Sequence, residues 1–129
     1  MKLLVISNHT LTNEQISDAY KSLNVDKIEY LPYELRELWG NINPEYSEIE
    51  VESYIQPIED FIHENVNVDD YVLVQGEFTA TFYIVDNLLQ LGATPIVATT
   101  QRVVKEVQKG DKVVKTTEFK HIRYRPYFI

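Results

Sequence analysis

The stretch Lys2-Leu3-Leu4-Val5-Ile6-Ser7 is a continuous apolar run with a polar residue at each end. Such a run is typical of a β-strand that is buried on both faces, as in a parallel sheet covered by helices. The polar residues Asn8-His9-Thr10 follow as a loop. Thr12 and Gln15 then have the spacing of a capping box, which predicts a helix from about residue 13 to residue 23. The first 23 residues therefore predict one strand, one loop and one helix.

The same order of strand and helix recurs through most of the chain. Further apolar runs predict strands at residues 27–31, 71–75 and 95–98. Helices are predicted at residues 33–39, 48–65 and 79–91. The longest of these contains Pro57, which predicts a kink or a break near its middle. Strands that alternate with helices favour an α/β fold with a Rossmann-like, mostly parallel sheet and flanking helices.

The last quarter of the chain has a different pattern. Residues 103–107 and 112–117 flank Lys109-Gly110-Asp111, a sequence typical of the turn in a β-hairpin. Residues 119–124 extend this pattern as a last strand. We therefore expect a C-terminal antiparallel hairpin at the edge of the parallel sheet, within a single domain that spans residues 1–129.

The composition excludes several classes of protein. With 44% hydrophobic and 25% charged residues, the chain has the balance of a globular protein. It contains no Cys, which excludes disulfides, thiolate nucleophiles and cysteine-ligated zinc. His-x-His and His-Glu-x-x-His spacings are also absent, so we expect no metal and no cofactor. The N-terminal apolar run is too short for a signal peptide or a membrane span, which predicts a cytoplasmic protein that does not contact a membrane.

Charge is distributed unevenly along the chain. The net charge is −8, but residues 1–95 carry −13 and residues 96–129 carry +5. An acidic protein is a poor binder of long nucleic acid, because affinity for phosphates rises with the number of cations presented. The basic C-terminal part could still bind a small polyanion at one place. The alternative is that basic strands only offset acidic helices.

Three polar segments follow predicted strands and would meet at one edge of the sheet. They are Ser7-Asn8-His9-Thr10, Gln75-Gly76-Glu77-Phe78-Thr79 and Thr99-Thr100-Gln101-Arg102. Ligands of open α/β sheets bind outside the carboxyl ends of the strands, so we expect a binding site where these segments converge. Gly76 begins a predicted helix whose free backbone N–H groups would suit a phosphate. However, one glycine matches neither the dinucleotide fingerprint nor the P-loop, and Glu77 would oppose a phosphate, so an ordinary helix start is an equal alternative.

Two histidines are candidates for proton transfer. His9 follows the first strand in an exposed loop, although it could simply bond the loop's backbone. His121 stands in a predicted strand whose alternation would place His121, Arg123 and Arg125 in one row on the same face. Such a row suits a polyanion, whereas its alternative reading is an edge strand protected by charge. His63 is expected to be a surface residue of an acidic helix.

Five segments of the chain, in this order, resemble one protein family. They are Ser7-Asn8-His9-Thr10-Leu11-Thr12, residues 30–39, residues 71–76, Ala98-Thr99-Thr100-Gln101-Arg102 and Phe119-Lys120-His121-Ile122-Arg123-Tyr124-Arg125. The family is the small CRISPR-associated "Csx twenty" family, found beside type III CRISPR systems. The resemblance implies a Rossmann-like domain related to the CARF domains, and a homodimer that holds its ligand across the dimer axis. It further implies a metal-independent ring nuclease that cleaves cyclic tetra-adenylate and so ends the antiviral response.

The resemblance and the expected positions together suggest roles for the candidate residues. Charge on the phosphates would be stabilised by Arg102 and by Arg123 or Arg125, and proton transfer would fall to His9 or His121. Hydrogen bonds to phosphate would come from Thr79, Thr99 and Thr100. Asn8 and Gln75 would read adenine edges, because amide side chains match the donor and acceptor of that base. Ser7 and Gly76 complete the expected ligand-binding set.

Two other functions fit the same residues. A protein of the same fold could sequester the cyclic messenger without cleaving it, because the same cations serve binding and catalysis. Alternatively, the acidic N-terminal part could dock a protein partner, with the basic tail serving only the structure.

Overall fold

The sheet has five strands, in the order β2-β1-β3-β4-β5. In the computed structural model, which describes residues 1–129, the strands are β1 (Lys2–Ile6), β2 (Lys27–Tyr30), β3 (Tyr71–Val74), β4 (Thr94–Lys109) and β5 (Lys112–Pro126). The first four strands in this order are parallel, and β5 pairs with β4 in the antiparallel sense. This confirms the expected mixed α/β architecture, with a mostly parallel sheet and a C-terminal antiparallel hairpin.

Helices cover both faces of the sheet. They are α1 (Asn13–Asp18), which continues as a π-helical segment (Ala19–Leu23), α2 (Tyr33–Gly40), α3 (Glu48–Tyr54), α4 (Gln56–Asn65) and α5 (Phe78–Leu91). α1 and its π-helical extension pack on one face of the sheet, and α2, α4 and α5 pack on the other. None of these helices has both the length and the apolar character that crossing a membrane would require.

Alternation along the strands feeds two separate hydrophobic cores. On β1, Leu4 and Ile6 pack against α2, α4 and α5, whereas Leu3 and Val5 pack beneath the π-helical extension of α1. All four side chains are fully buried. Burying a side chain of this size stabilises the fold by about 1.5–3 kcal/mol, so an apolar residue is favoured at every position of this strand. The continuous apolar run in the sequence is therefore explained by a strand with a core on each side.

The predicted helix boundaries are confirmed by specific hydrogen bonds. The Gln15 backbone N–H donates to Thr12 Oγ1 at 3.2 Å, and the Thr12 backbone N–H donates to Gln15 Oε1 at 2.9 Å, which completes the capping box. The long acidic helix is divided at Ile55 into α3 and α4, as Pro57 predicts, with Pro57 in the first turn of α4. α5 ends at Gly92, whose φ of +80° is a left-handed conformation that glycine adopts without strain.

β4 corrects one sequence-based expectation. Residues 99–102 are not a loop that follows a short strand, because β4 continues without a break to Lys109. Its backbone groups remain paired with β5 as far as the pair Lys109 and Lys112. Residues 101–120, termed the arm below, thus form a two-stranded ribbon. The arm projects past the carboxyl edge of the sheet, because Leu73 pairs with Ile96 and β3 ends one residue later.

Candidate functional site

A mostly polar cleft lies at the carboxyl edge of the sheet, above β1 and β3. The strand order reverses between these two strands, since β2 lies on one side of β1 and β3 on the other. The cleft has a volume of about 400 Å³. It is lined by Ser7, Asn8, His9, Thr10, Leu11, Thr12, Gln15, Leu73, Gln75 and Gly76. Two of the three polar segments predicted to converge at this edge therefore do so.

Close packing fixes the residues at the mouth of the cleft. Trp39 Nε1 donates a hydrogen bond to the Gln75 carbonyl oxygen at 2.9 Å. A Cβ atom on Gly76 would lie 2.5 Å from Trp39 Nε1, and one on Gly40 would lie 2.9 Å from the Cβ of Asn8. Such distances are too short for any side chain, so both positions require glycine. A smaller cavity of about 250 Å³ lies beside the cleft, shares Asn8 and Gly76 with its lining, and is also lined by Trp39.

The N-terminus of α5 is capped by the carboxylate of Glu77. The Glu77 side chain accepts hydrogen bonds from the backbone N–H groups of Thr79 and Ala80, at 3.0 and 2.9 Å. Burial by itself would raise the pKa of Glu77, but the hydrogen bonds from Thr79 and Ala80 outweigh it and lower that pKa. The Thr79 hydroxyl also donates to Glu77. Of the two alternatives left open for this segment, the structure shows an ordinary capped helix start, and Thr79 does not line the cleft.

His9 lies in the cleft with its side chain free. Its backbone N–H donates to Ser7 Oγ at 3.2 Å, which shapes the loop, and its imidazole makes no hydrogen bond within the chain. Ser7 itself is buried. The cleft thus presents one exposed imidazole between hydroxyl and amide side chains, and an imidazole can donate or accept a proton near neutral pH.

His121 is not part of the cleft, and the predicted row of His121, Arg123 and Arg125 is wrong. Thr99 pairs with Arg123 but Thr100 pairs with His121, so Ile122 is an extra residue that forms a β-bulge. The bulge changes the alternation and places His121 beside Tyr124, with ring centroids 4.9 Å apart. Here the His121 side chain is 6% exposed, and its Nε2 lies 2.7 Å from Asp18 Oδ2. The pair ties β5 to α1.

The remaining candidates also lie outside the cleft. Thr99 Oγ1 bonds to the backbone of Arg123 across the hairpin, and Arg123 Nε donates to the Tyr124 carbonyl oxygen at 3.2 Å. Arg123 lines a separate cavity of about 310 Å³ beside α1. The expected contributions of Thr99, Thr100, Arg102, Arg123 and Arg125 to one shared site are therefore not seen within a single chain. The physical reasons are two: β4 continues past the edge and carries Arg102 into the arm, and Arg123 and Arg125 lie on β5, which β3 and β4 separate from β1.

Some cleft residues were missed by the sequence-based reasoning. Thr12 and Gln15 were assigned only to the capping box, yet their side chains also line the cleft. The capping box itself was the available signal, because it places the first turn of α1 directly after the Asn8-His9-Thr10 loop. Trp39, which fixes Gln75, gave no sequence signal, since its partner is 36 residues away.

The fold and cleft define an α/β protein with a ligand-sized polar site at the reversal of strand order. The chain matches the family described as "Uncharacterized protein MJ1673 family" over residues 1–125, and it belongs to that family. It is 41% identical over 126 residues to "Uncharacterized protein MJ1673" of Methanocaldococcus jannaschii, which covers 98% of this chain and 96% of that protein. No solved structure matches the chain.

Proposed function

We propose that the protein is a ring nuclease that binds cyclic tetra-adenylate and cleaves it, without a metal, to linear di-adenylate with a 2′,3′-cyclic phosphate. In this role it would switch off type III CRISPR antiviral signalling in the cytoplasm. The observation that carries the proposal is the polar cleft between β1 and β3, in which His9 stands among amide and hydroxyl side chains. The likeness of the chain's segments to the "Csx twenty" family supplies the identity of the ligand.

The topology supports a Rossmann-like assignment for the domain. In doubly wound sheets the ligand binds outside the carboxyl ends of the strands, at the point where the strand order reverses. The cleft lies at this point, between β1 and β3, and helices cover both faces of the sheet. The resemblance to the "Csx twenty" family would make it a domain related to the CARF domains.

The proposed reaction needs positioning and one proton carrier. The 2′-hydroxyl oxygen of a ribose attacks the neighbouring phosphorus and loses its proton, while the bond from phosphorus to the 5′-oxygen breaks and that oxygen gains a proton. No water is consumed, and cleavage at two opposite phosphates gives two di-adenylates. Holding the ring in this in-line geometry supplies much of the acceleration. His9, the one imidazole in the cleft, would move the proton, a role worth about 10²–10⁴-fold in rate.

Recognition of adenine would fall to the amide side chains of the cleft. Asn8, Gln15 and Gln75 each line it. An amide presents one donor and one acceptor, which match those of the adenine edge. Gln15 Oε1 accepts a hydrogen bond from the Thr12 backbone N–H at 2.9 Å, and the Gln75 backbone is held by Trp39, so these two residues start from defined positions. Preorganised contacts of this kind cost less conformational entropy on binding.

An exposed apolar patch provides a surface for the proposed homodimer. Phe78 and Phe82 on α5 and Phe128 in the C-terminal tail are at least 77% exposed, beside a groove of about 480 Å³. A phenylalanine buries about 150–250 Å², so the three expose roughly 400 Å² or more. That area is a large part of the roughly 800 Å² that each partner buries in a standard interface. Phe78 lies two residues after Gly76, which lines the cleft. A dimer that pairs through this patch would therefore bring the two clefts near its symmetry axis.

A second candidate function is sequestration of the same messenger without cleavage. The observation that favours it is the composition of the cleft, where His9 is the one imidazole and where Lys and Arg are absent. Binding through amides and hydroxyls would then suffice, and the ligand would be released unchanged.

The decisive experiment incubates protein in excess over labelled cyclic tetra-adenylate, with EDTA present, and separates the products. We expect linear di-adenylate with a cyclic phosphate end in a single turnover. His9→Ala should slow this step by about 100-fold or more. His63→Ala is the matched control, because His63 is an exposed residue of α4 and no residue of α4 lines the cleft. This substitution should leave the rate unchanged.

Other outcomes of this experiment separate the alternatives. Intact ligand that co-elutes with the protein would replace cleavage by sequestration. Intact ligand that elutes alone would remove the nucleotide proposal and direct attention to the acidic helices as a docking surface. A rate that His9→Ala leaves unchanged would keep the ring nuclease but take the proton-transfer role from His9.

A further inference from the structure

The cleft lacks cationic side chains, whereas the arm carries an excess of them. The cleft is lined by no Lys or Arg. The arm, residues 101–120, contains six basic and three acidic residues, a net charge of +3. Because the whole chain has a net charge of −8, the rest of the chain carries −11. A cleft for a phosphate ligand on so acidic a body needs cations from elsewhere, because uncompensated negative charge weakens phosphate binding.

Four of the six arm cations are available to a ligand. Lys105 Nζ pairs with Glu118 at 3.1 Å, and Lys115 Nζ pairs with Glu106 at 3.8 Å. Arg102, Lys109, Lys112 and Lys120 form no ion pair in the structure, and all four are exposed. Lys109 and Lys112 face each other beside the turn at the tip of the arm.

The tip of the arm is beyond reach of its own cleft. The pair Lys109 and Lys112 lies nine residues past the pair Thr100 and His121. At about 3.4 Å per residue, the tip stands about 30 Å from the edge of the sheet. The base of the arm is also anchored, because His121 is bound to Asp18 and Tyr124 Oη donates to the Gln15 carbonyl oxygen at 2.7 Å.

The arm also carries apolar side chains that nothing in the chain covers. Val104 and Val113 are more than half exposed on one face of the ribbon, and Val107 and Val114 form an exposed pair on the other. A two-stranded ribbon on its own has marginal stability in water. Its length and exposed valines therefore favour a second surface against which it packs.

We propose that the arm of one copy of the chain closes over the cleft of a second copy and supplies the cations that this cleft lacks. The basic arm and the acidic body of the second copy are complementary in charge, and the exposed valines of the arm would be buried against that body. Each site is then built from two chains, with His9 and the amides from one and Lys109 and Lys112 from the other. The identity of the ligand rests on the proposed function, whereas the arrangement of the two chains does not.

The first test uses a cross-link, which needs no ligand. Because the chain has no cysteine, Lys109→Cys in one chain and Thr10→Cys in another provide a unique pair of thiols at the tip and in the cleft. We expect a short bismaleimide to join the two mixed chains, with the linked peptides identified by mass spectrometry. Lys27→Cys, an exposed residue of β2, is the control partner and should not be joined to the tip.

The outcomes of the cross-link decide the arrangement by themselves. Linkage of the tip to Thr10→Cys and not to Lys27→Cys supports closure between copies. Equal linkage to both positions, or none, overturns it. In a single chain with both Lys109→Cys and Thr10→Cys, a link within one chain would show instead that the arm folds back on its own cleft, which also overturns the proposal.

The second test measures affinity for labelled cyclic tetra-adenylate. We expect Lys109→Gln with Lys112→Gln to weaken binding by at least 10-fold. Lys105→Gln with Lys115→Gln removes the same charge from the same ribbon but only from residues already paired, and should weaken binding less than threefold. Equal effects of the two variants would mean general electrostatic attraction and would overturn specific closure. If the wild type binds no cyclic tetra-adenylate, the proposed ligand fails while the cross-link still judges the arm.

Discussion

Two valine-rich segments of the same sheet have opposite surroundings. Val72-Leu73-Val74 in β3 is buried, whereas Val103-Val104 in β4 and Val113-Val114 in β5 lie in the arm, where Val113 is 61% exposed. Both are strands, and both have the β-branched residues that favour strands. The difference is in what covers them, since β3 lies between two strands and two layers of helices, and the arm has only its own second strand. Strand formation and burial are therefore separate properties here.

The largest effect that tests this comparison is expected in the body of the sheet. Leu4→Ala removes a fully buried side chain from the core beneath α4 and α5 and should lower the free energy of unfolding by about 2–5 kcal/mol. Val104→Ala in the arm should lower it by less than about 0.5 kcal/mol, as is usual for exposed positions. Urea unfolding followed by circular dichroism measures both. A large loss at Val104, at a concentration where the protein is monomeric, would mean that the arm is packed within the chain.

Two glycines give a second and smaller contrast. Gly76→Ala places a Cβ 2.5 Å from Trp39 Nε1, and we expect a loss of about 1–3 kcal/mol from overpacking together with weaker ligand binding in the cleft. Gly110 in the arm has φ +62° and open space around it, so only its conformation matters. Gly110→Asn, which tolerates this conformation, should cost less than about 0.5 kcal/mol. Thermal unfolding and ligand affinity measured side by side would contradict this reading if the two variants behaved alike.

The smallest effect is expected where the arm joins the body, and it depends on pH. Hydrogen bonds from Ser22 and His121 hold the pKa of Asp18 below its usual 3.8. A carboxyl whose pKa is lowered by folding adds stability above its unfolded pKa, and loses it as the pH falls through the folded one. Asp18→Asn should therefore be less stable than the wild type at pH 6, and the difference should shrink as the pH falls below 3.8.

Hydrogen exchange at the base of the arm locates this effect. We expect the amides of residues 119–124 to exchange faster in Asp18→Asn, because His121 loses its charged partner. Asp111→Asn, in the turn at the tip, removes a carboxyl that pairs with no cation and serves as the control. If Asp18→Asn kept the pH dependence of the wild type, the pair of Asp18 and His121 would not stabilise this junction.

Much of the fold was predictable because its signals are local. The capping box of Thr12 and Gln15 and the break at Pro57 each act within a few residues, and each prediction was confirmed. Half of the site was predictable for the same reason, since Ser7, Asn8, His9, Gln75 and Gly76 follow buried strands and meet at one edge. The row of His121, Arg123 and Arg125 was wrong because one unpaired residue, Ile122, shifts the alternation.

The sequence by itself determined the strands, the helices and the sheet edge where the polar residues collect, because hydrophobic periodicity and helix caps are short-range effects. The tertiary structure alone decided which candidates share a site. Pairing of β4 with β5 carried Arg102 out along the arm, and a bulge turned His121 towards Asp18. Trp39 and Gly76 came into contact across 37 positions of the chain. These outcomes depend on pairing and packing between residues distant in sequence, which no local pattern encodes.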